Sequence, residues 1–197
     1  MFFAVLFDVL GASAKLRPVA AILSSHHRCS RDYRRKVECG AFRCIDGLTN
    51  DTEENQCRTY WDFTPWLALD FGEEAQVSVE KTVLFTSVFN DKYSDWNRTR
   101  NIEVWLADEI PTTAAEKFSE GHQLATFEGS ATSGKEVEIQ SGPGWNKKMG
   151  RYLIIQMYNR TEDVTANLRL NLKEVFTFGT THAPPNGMFC FAVFIDN

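Results

Sequence analysis

Apolar side chains recur along most of this chain with a period of two, or in short blocks of β-branched and aromatic residues, and Gly, Pro, Asn and Asp separate the blocks. Residues 66–71, 76–86, 102–107, 136–140, 151–158 and 168–178 follow this pattern, which predicts strands. In the last of these Leu170 and Leu172 share one parity and Val175 the other, so the ladder needs a bulge or change of register between Leu172 and Val175. Helical spacing is confined to residues 111–121, where Thr112 or Thr113 offers a cap ahead of Ala114-Ala-Glu-Lys-Phe118, and a short helix is expected there. Strands about ten residues apart without helices between them predict an antiparallel sandwich or barrel. No repeat, low-complexity segment or linker divides the chain, so one domain is expected.

Composition narrows the class. With 197 residues and 43% hydrophobic content the chain can bury a full core. The net charge is −5, and it changes only to −4 without residues 1–14, where Asp8 is the sole charged residue. An acidic chain lacks the clustered cations that phosphate backbones require, so no nucleic-acid partner is expected. No run approaches the roughly 20 apolar residues of a transmembrane segment.

The apolar run Met1-Phe-Phe-Ala-Val-Leu-Phe-Asp-Val-Leu10, followed by Gly-Ala-Ser-Ala14, reads as a signal peptide over residues 1–14, with an N-terminal core strand as the alternative. Residues 15–37 are basic through Arg28, Arg31, Arg34, Arg35 and Lys36, as a solvated extension or as a strand with a loop. Asn50, Asn97 and Asn159 head N-glycosylation acceptor tripeptides. Cys29, Cys39, Cys44 and Cys57 crowd one segment in the manner of disulfide staples, giving two bridges in any of three connectivities, with Cys190 left over. No Cys-x-x-Cys pair supports a zinc site. Together these features predict a secreted, extracellular protein. The few histidines, His26, His27, His122 and His182, form no evident nucleophile and base constellation, so no enzyme is expected.

The strings Cys44-Ile-Asp-Gly47, Cys57-Arg-Thr59 and Pro65-Trp-Leu-Ala-Leu-Asp-Phe-Gly72 resemble the first half of discoidin domains, the coagulation factor type C family, and of the related fucose-binding lectins. Gly150-Arg-Tyr-Leu-Ile-Ile-Gln156 and Leu170-Asn-Leu-Lys-Glu-Val-Phe-Thr-Phe-Gly179 resemble that family's closing strands. The resemblance implies an all-β, eight-stranded antiparallel jelly-roll β-sandwich of the galactose-binding-like class over residues 15–180, with 181–197 as a tail. Asp46-Gly47 suits a tight turn, Pro65-Trp66 would start a strand with the indole over the barrel end, and Asp70-Phe-Gly72 would close that strand.

The same resemblance implies ligand-binding loops gathered at one end of the jelly roll, here residues 48–65, 89–101 and 141–150. Their contact groups would be Tyr60 and Trp61, Tyr93, Trp96, Arg98 and Arg100, and Trp145 and Lys147, with rings to stack on sugars and cations to bond oxygens. It also implies a calcium ion near Asp46 and Glu174, although Arg43 and Leu48 replace the amide side chains of the related lectins. Lys173 occupies the position of the family's partner cysteine, so Cys57 would pair locally with Cys29, Cys39 or Cys44. The implied ligand is a glycan or a cell-surface or matrix component. An anionic phospholipid and a matrix role without a small-ligand site are the alternatives.

Overall fold

The computed structural model of the protein describes residues 13–25, 27–28, 38–49, 56–59, 62–87, 99–114, 116–131, 134–158 and 168–182. One sheet runs in the order β1 (Ala14–Leu16), β12 (Asn171–His182), β7 (Gln76–Thr86), β10 (Glu136–Gln140), and β5 (Cys57–Arg58) joins β1 on the outer edge of β12. The second runs β2 (Ala20–Leu23), β6 (Trp66–Asp70), β11 (Tyr152–Met157), β8 (Arg100–Ala107), β9 (His122–Ser130). A small ribbon pairs β3 (His27–Arg28) with β4 (Glu38–Cys39). Every pairing is antiparallel. Strands β2 and β6 to β12 make the expected eight-stranded sandwich, and β1 and β5 are short additions to one edge.

The core between the sheets explains which residues form strands. Val77, Val79 and Leu84 of β7, Val137 and Ile139 of β10, and Val175 of β12 meet Leu67, Leu69, Val104, Leu106, Leu153 and Ile155 of the opposite sheet. β6 and β11 read as continuous apolar runs because they are central and buried on both faces. Their outer face packs Trp66, Ala68 and Ile154 with Trp105, Ala107 and Phe118 in a second cluster. Trp66 therefore opens β6 as expected, but its indole lies on the outside of the sheet and not over the barrel end.

Phe118 reaches that cluster because residues 110–114 and 116–118 cross the sheet as an irregular strap, where a helix was expected. The strap's carbonyls are taken by the sheet: Thr64 N–H and Oγ1 donate to Ala114 C=O, Thr64 Oγ1 also approaches Glu116 C=O, and Trp66 Nε1 donates to Thr113 C=O. Phe118 N–H donates to Gln156 Oε1. Burying Phe118 against Trp105, with ring centroids 5.8 Å apart and nearly perpendicular, outweighs the local helical preference.

The bulge in β12 lies within the expected interval, since the register with β7 shifts between Leu172 and Glu174. A second shift falls at Phe178/Gly179, where a Cβ on Gly179 would sit 2.0 Å from Ser78 O.

Candidate ligand-binding end of the sandwich

Strand directions define two ends. At one lie the close of β7 (Thr86), the start of β8 (Arg100), the close of β11 (Met157), the start of β12 (Asn171), β5 and the start of β6. The β5–β6, β7–β8, β9–β10 and β11–β12 connections all leave and return there. At the other lie the β6–β7, β8–β9 and β10–β11 connections.

The first end has a polar floor. Gln56, Arg58, Thr59, Ser87, Thr99, Asn101, Arg169, Asn171 and Lys173 are all buried. Thr99 ties the floor together: its N–H donates to Arg169 C=O at 3.1 Å, its carbonyl accepts from Ala131 N–H at 2.9 Å, and its Oγ1 exchanges hydrogen bonds with Asn171 C=O and N–H. Thr59 does the same for Leu170, with its N–H donating to the Leu170 carbonyl and its Oγ1 accepting the Leu170 N–H.

Thr99 and Asn101 adopt φ of 40° and 43°, the left-handed region that L side chains rarely enter. A β-branched residue there is a strained outlier, and such strain collects at functional sites. The bonds around Thr99 hold it in place, while Asn101 is held by Gly129 N–H on its Oδ1 and by Tyr158 N–H on its carbonyl. Between the two strained residues sits half-buried Arg100, at a register shift of β8.

The expected contact residues divide accordingly. Arg100 is at this end. Tyr60, Trp61, Tyr93, Trp96 and Arg98 lie outside the described residues, as do Asn50, Asn97, Asn159, Cys29 and Cys190. Trp145 and Lys147 are not here: residues 141–150 join β10 to β11 at the opposite end, where Gly150 bridges Val77. The 3-10 helix Trp145–Lys147 packs there, and Lys148 C=O accepts from Ser78 Oγ at 2.8 Å.

That same serine contacts His182 Nε2 at 2.8 Å, a pairing the sequence reading missed. Ser78 is fully buried and its hydroxyl is committed to the Lys148 carbonyl, so the pair works as a strand tie and offers a substrate no access.

On the outer edge of β12, between β5 and β1, the turn at Ile45–Gly47 fills the gap. Gly47 takes φ 80° and Leu48 N–H donates to Asp46 Oδ1 at 2.9 Å, the expected tight turn. Cys44 and Cys57 form a disulfide that fastens the turn to β5. Glu174, only 1% exposed, accepts Gly47 N–H on Oε2 at 2.6 Å and Val175 N–H on Oε1 at 3.2 Å. Burial pushes its pKa up to about 7 despite those two N–H donors, and the nearby Asp46 charge adds to the rise. A pocket of about 350 Å³ opens here, lined by Lys15, Arg17, Asp46, Glu174 and Phe176 among others.

The implied calcium does not fit this corner. A hard cation needs six to eight free oxygen donors, whereas Asp46 Oδ2 already takes Arg43 Nη1 at 3.3 Å and the other three carboxylate oxygens take backbone N–H groups. The guanidinium beside Asp46 also opposes a second cation. Among the described residues no group of three or more His, Cys, Asp or Glu side chains converges.

Two five-stranded sheets with this connectivity overlay a set of solved carbohydrate-recognising domains. The lectin domain of lectinolysin, complexed with Lewis B antigen, matches 83% of this chain and 94% of its own at 22% identity and a TM-score of 0.55. The F-lectin from striped bass serum (Morone saxatilis) matches 86% of this chain and 48% of its own at 17% identity and a TM-score of 0.56. A carbohydrate-binding module, CBM62 of Xyl5A from Clostridium thermocellum, matches 85% and 98% at 17% identity and a TM-score of 0.54. The fold is galactose-binding-like. No family profile matches this galactose-binding-like sandwich, and no curated protein sequence matches it. Among the described residues, no helix is long and apolar enough to cross a membrane.

Proposed function

We propose that this galactose-binding-like sandwich is a secreted glycan-binding module whose site is the end carrying Arg100. The observation that carries the reading is the strained pair Thr99 and Asn101, which fixes the backbone of Arg100 over a buried polar floor. Guanidinium groups bond sugar hydroxyls and carboxylates through several N–H donors at once, so a preset arginine favours a polyhydroxylated ligand. Similarity in fold to lectin and carbohydrate-binding domains supports the ligand class. The Cys44–Cys57 disulfide supports an oxidising compartment, and with it export. The module binds and does not catalyse.

Glycan-array binding followed by calorimetry tests the reading. Arg100→Ala is expected to weaken the best glycan by tenfold or more, about 1.4 kcal/mol, and Trp96→Ala and Arg98→Ala to weaken it further. Trp145→Ala, at the far end, should bind as the parent does. Blank arrays across neutral and acidic glycans would count against the whole reading. A second reading, an anionic phospholipid surface, is favoured by Phe42, Leu48 and Phe63, which are 55%, 45% and 45% exposed. Sedimentation with phosphatidylserine vesicles separates the two.

A further inference from the structure

We propose that Arg43 is the built-in counter-cation of the Asp46 and Glu174 corner, so that this protein holds the turn at Ile45–Gly47 in place without a divalent metal. Arg43 lies in the 3-10 helix Ala41–Cys44, and the chain turns at Ile45 so that Asp46 Oδ2 comes to 3.3 Å from Arg43 Nη1. The guanidinium also stacks over the Phe42 ring, with Cζ 4.6 Å from the centroid, which limits its freedom to swing away. Asp46 is thus neutralised from inside the chain while its other oxygen caps Leu48 N–H.

Glu174 needs no metal either. Its two oxygens close on Gly47 and Val175 N–H, joining the turn to β12 at the bulge. The disulfide completes the anchorage by tying Cys44, next to Arg43, to β5. Three covalent or hydrogen-bonded ties therefore hold one short turn, and each uses atoms of this chain alone.

The test compares the full chain in EDTA and in about 10 mM calcium, well above the Kd of weak extracellular calcium modules, by thermal unfolding and by amide hydrogen exchange at Gly47 and Leu48. The parent is expected to melt at the same temperature and to exchange at the same rates in both. Arg43→Met, which keeps the packing stem and removes the charge, should speed Leu48 exchange by about fivefold in EDTA. A saturable rise of several degrees with calcium in the parent would overturn the proposal, because a ligand bound only to the folded state must raise its melting temperature. Unchanged Leu48 exchange in Arg43→Met would overturn it too. Should that variant not fold, the calcium comparison on the parent still decides. The readout is stability and exchange, so it stands whether or not a glycan is found.

Discussion

Replacing Glu174 by Gln removes an ionisable proton site from a buried position while nearly preserving its shape. In the native chain the carboxyl holds its proton up to about pH 7, against an ordinary value of 4.5. Below pH 4.5 the group is protonated folded and unfolded, and it costs nothing. Between 4.5 and 7 only the unfolded chain ionises freely, so the native protein loses stability as pH rises, and above 7 the full cost is present. At face value the rise is worth at most about 3 kcal/mol. The pocket beside Glu174 opens to solvent, and screening there leaves about 1–2 kcal/mol. Against this, the Gln amide turns an NH₂ toward either Gly47 or Val175 N–H and forfeits one hydrogen bond, about 1 kcal/mol at every pH. The variant should therefore be less stable than the parent near pH 4.5 and equal or more stable near pH 8, a swing of about 1–2 kcal/mol. Urea unfolding followed by the fluorescence of buried Trp66 and Trp105, at steps from pH 4.5 to 8, measures it directly. Parallel curves for the two proteins, or a swing of opposite sign, would refute the reasoning.

Replacing Cys44 and Cys57 together by Ala frees a separation of 13 residues in the unfolded chain and should cost about 3 kcal/mol by urea unfolding. Gly179→Ala forces a methyl against the Ser78 carbonyl, where backbone and not a flexible side chain must give way, so calorimetry should show a loss of about 3 kcal/mol or outright misfolding. Asp70 is held ionised chiefly by Arg151, whose Nε and Nη2 donate to its two oxygens at 2.9 and 2.8 Å. That contribution is present above the ordinary value of 3.8 and is lost as pH falls through the lowered one, so Arg151→Met should lower the melting temperature at pH 7 and match the parent at the acid end.

The strand pattern was legible because this core is built from short apolar blocks and period-two runs: Val77, Val79 and Leu84 mark Gln76–Thr86, and the alternation of Val137 and Ile139 marks Glu136–Gln140. Strand β9 escaped. It is an edge strand with Leu124 as its one fully buried side chain, so it carries almost no hydrophobic signature. The omission had a geometric price beyond one element. Each antiparallel strand turns the chain end for end, and leaving out β9 moves residues 141–150 to the end where Arg100 lies. Counting that one reversal carries Trp145 and Lys147 away from the ligand loops with which the family resemblance had grouped them. The polar floor escaped for another reason: Thr59, Thr99 and Asn171 are distant in sequence, and positive φ at a threonine has no compositional mark. The Asp46 turn was readable, whereas the consequence of Arg43 three residues before it emerged only from its place beside the carboxylate.

Pairing of β1 with β12 has a bearing on how such a protein is displayed. Ala14 lies opposite Gly179, and β12 runs on to His182, so chain enters and leaves the sandwich side by side at the pole away from Arg100. The proposed site at the Arg100 end therefore faces away from both points, Ala14 and His182, where the chain joins the sandwich. Under the proposed function, copies attached to one support through either point would present their sites in parallel, an arrangement that turns weak individual contacts into collective binding.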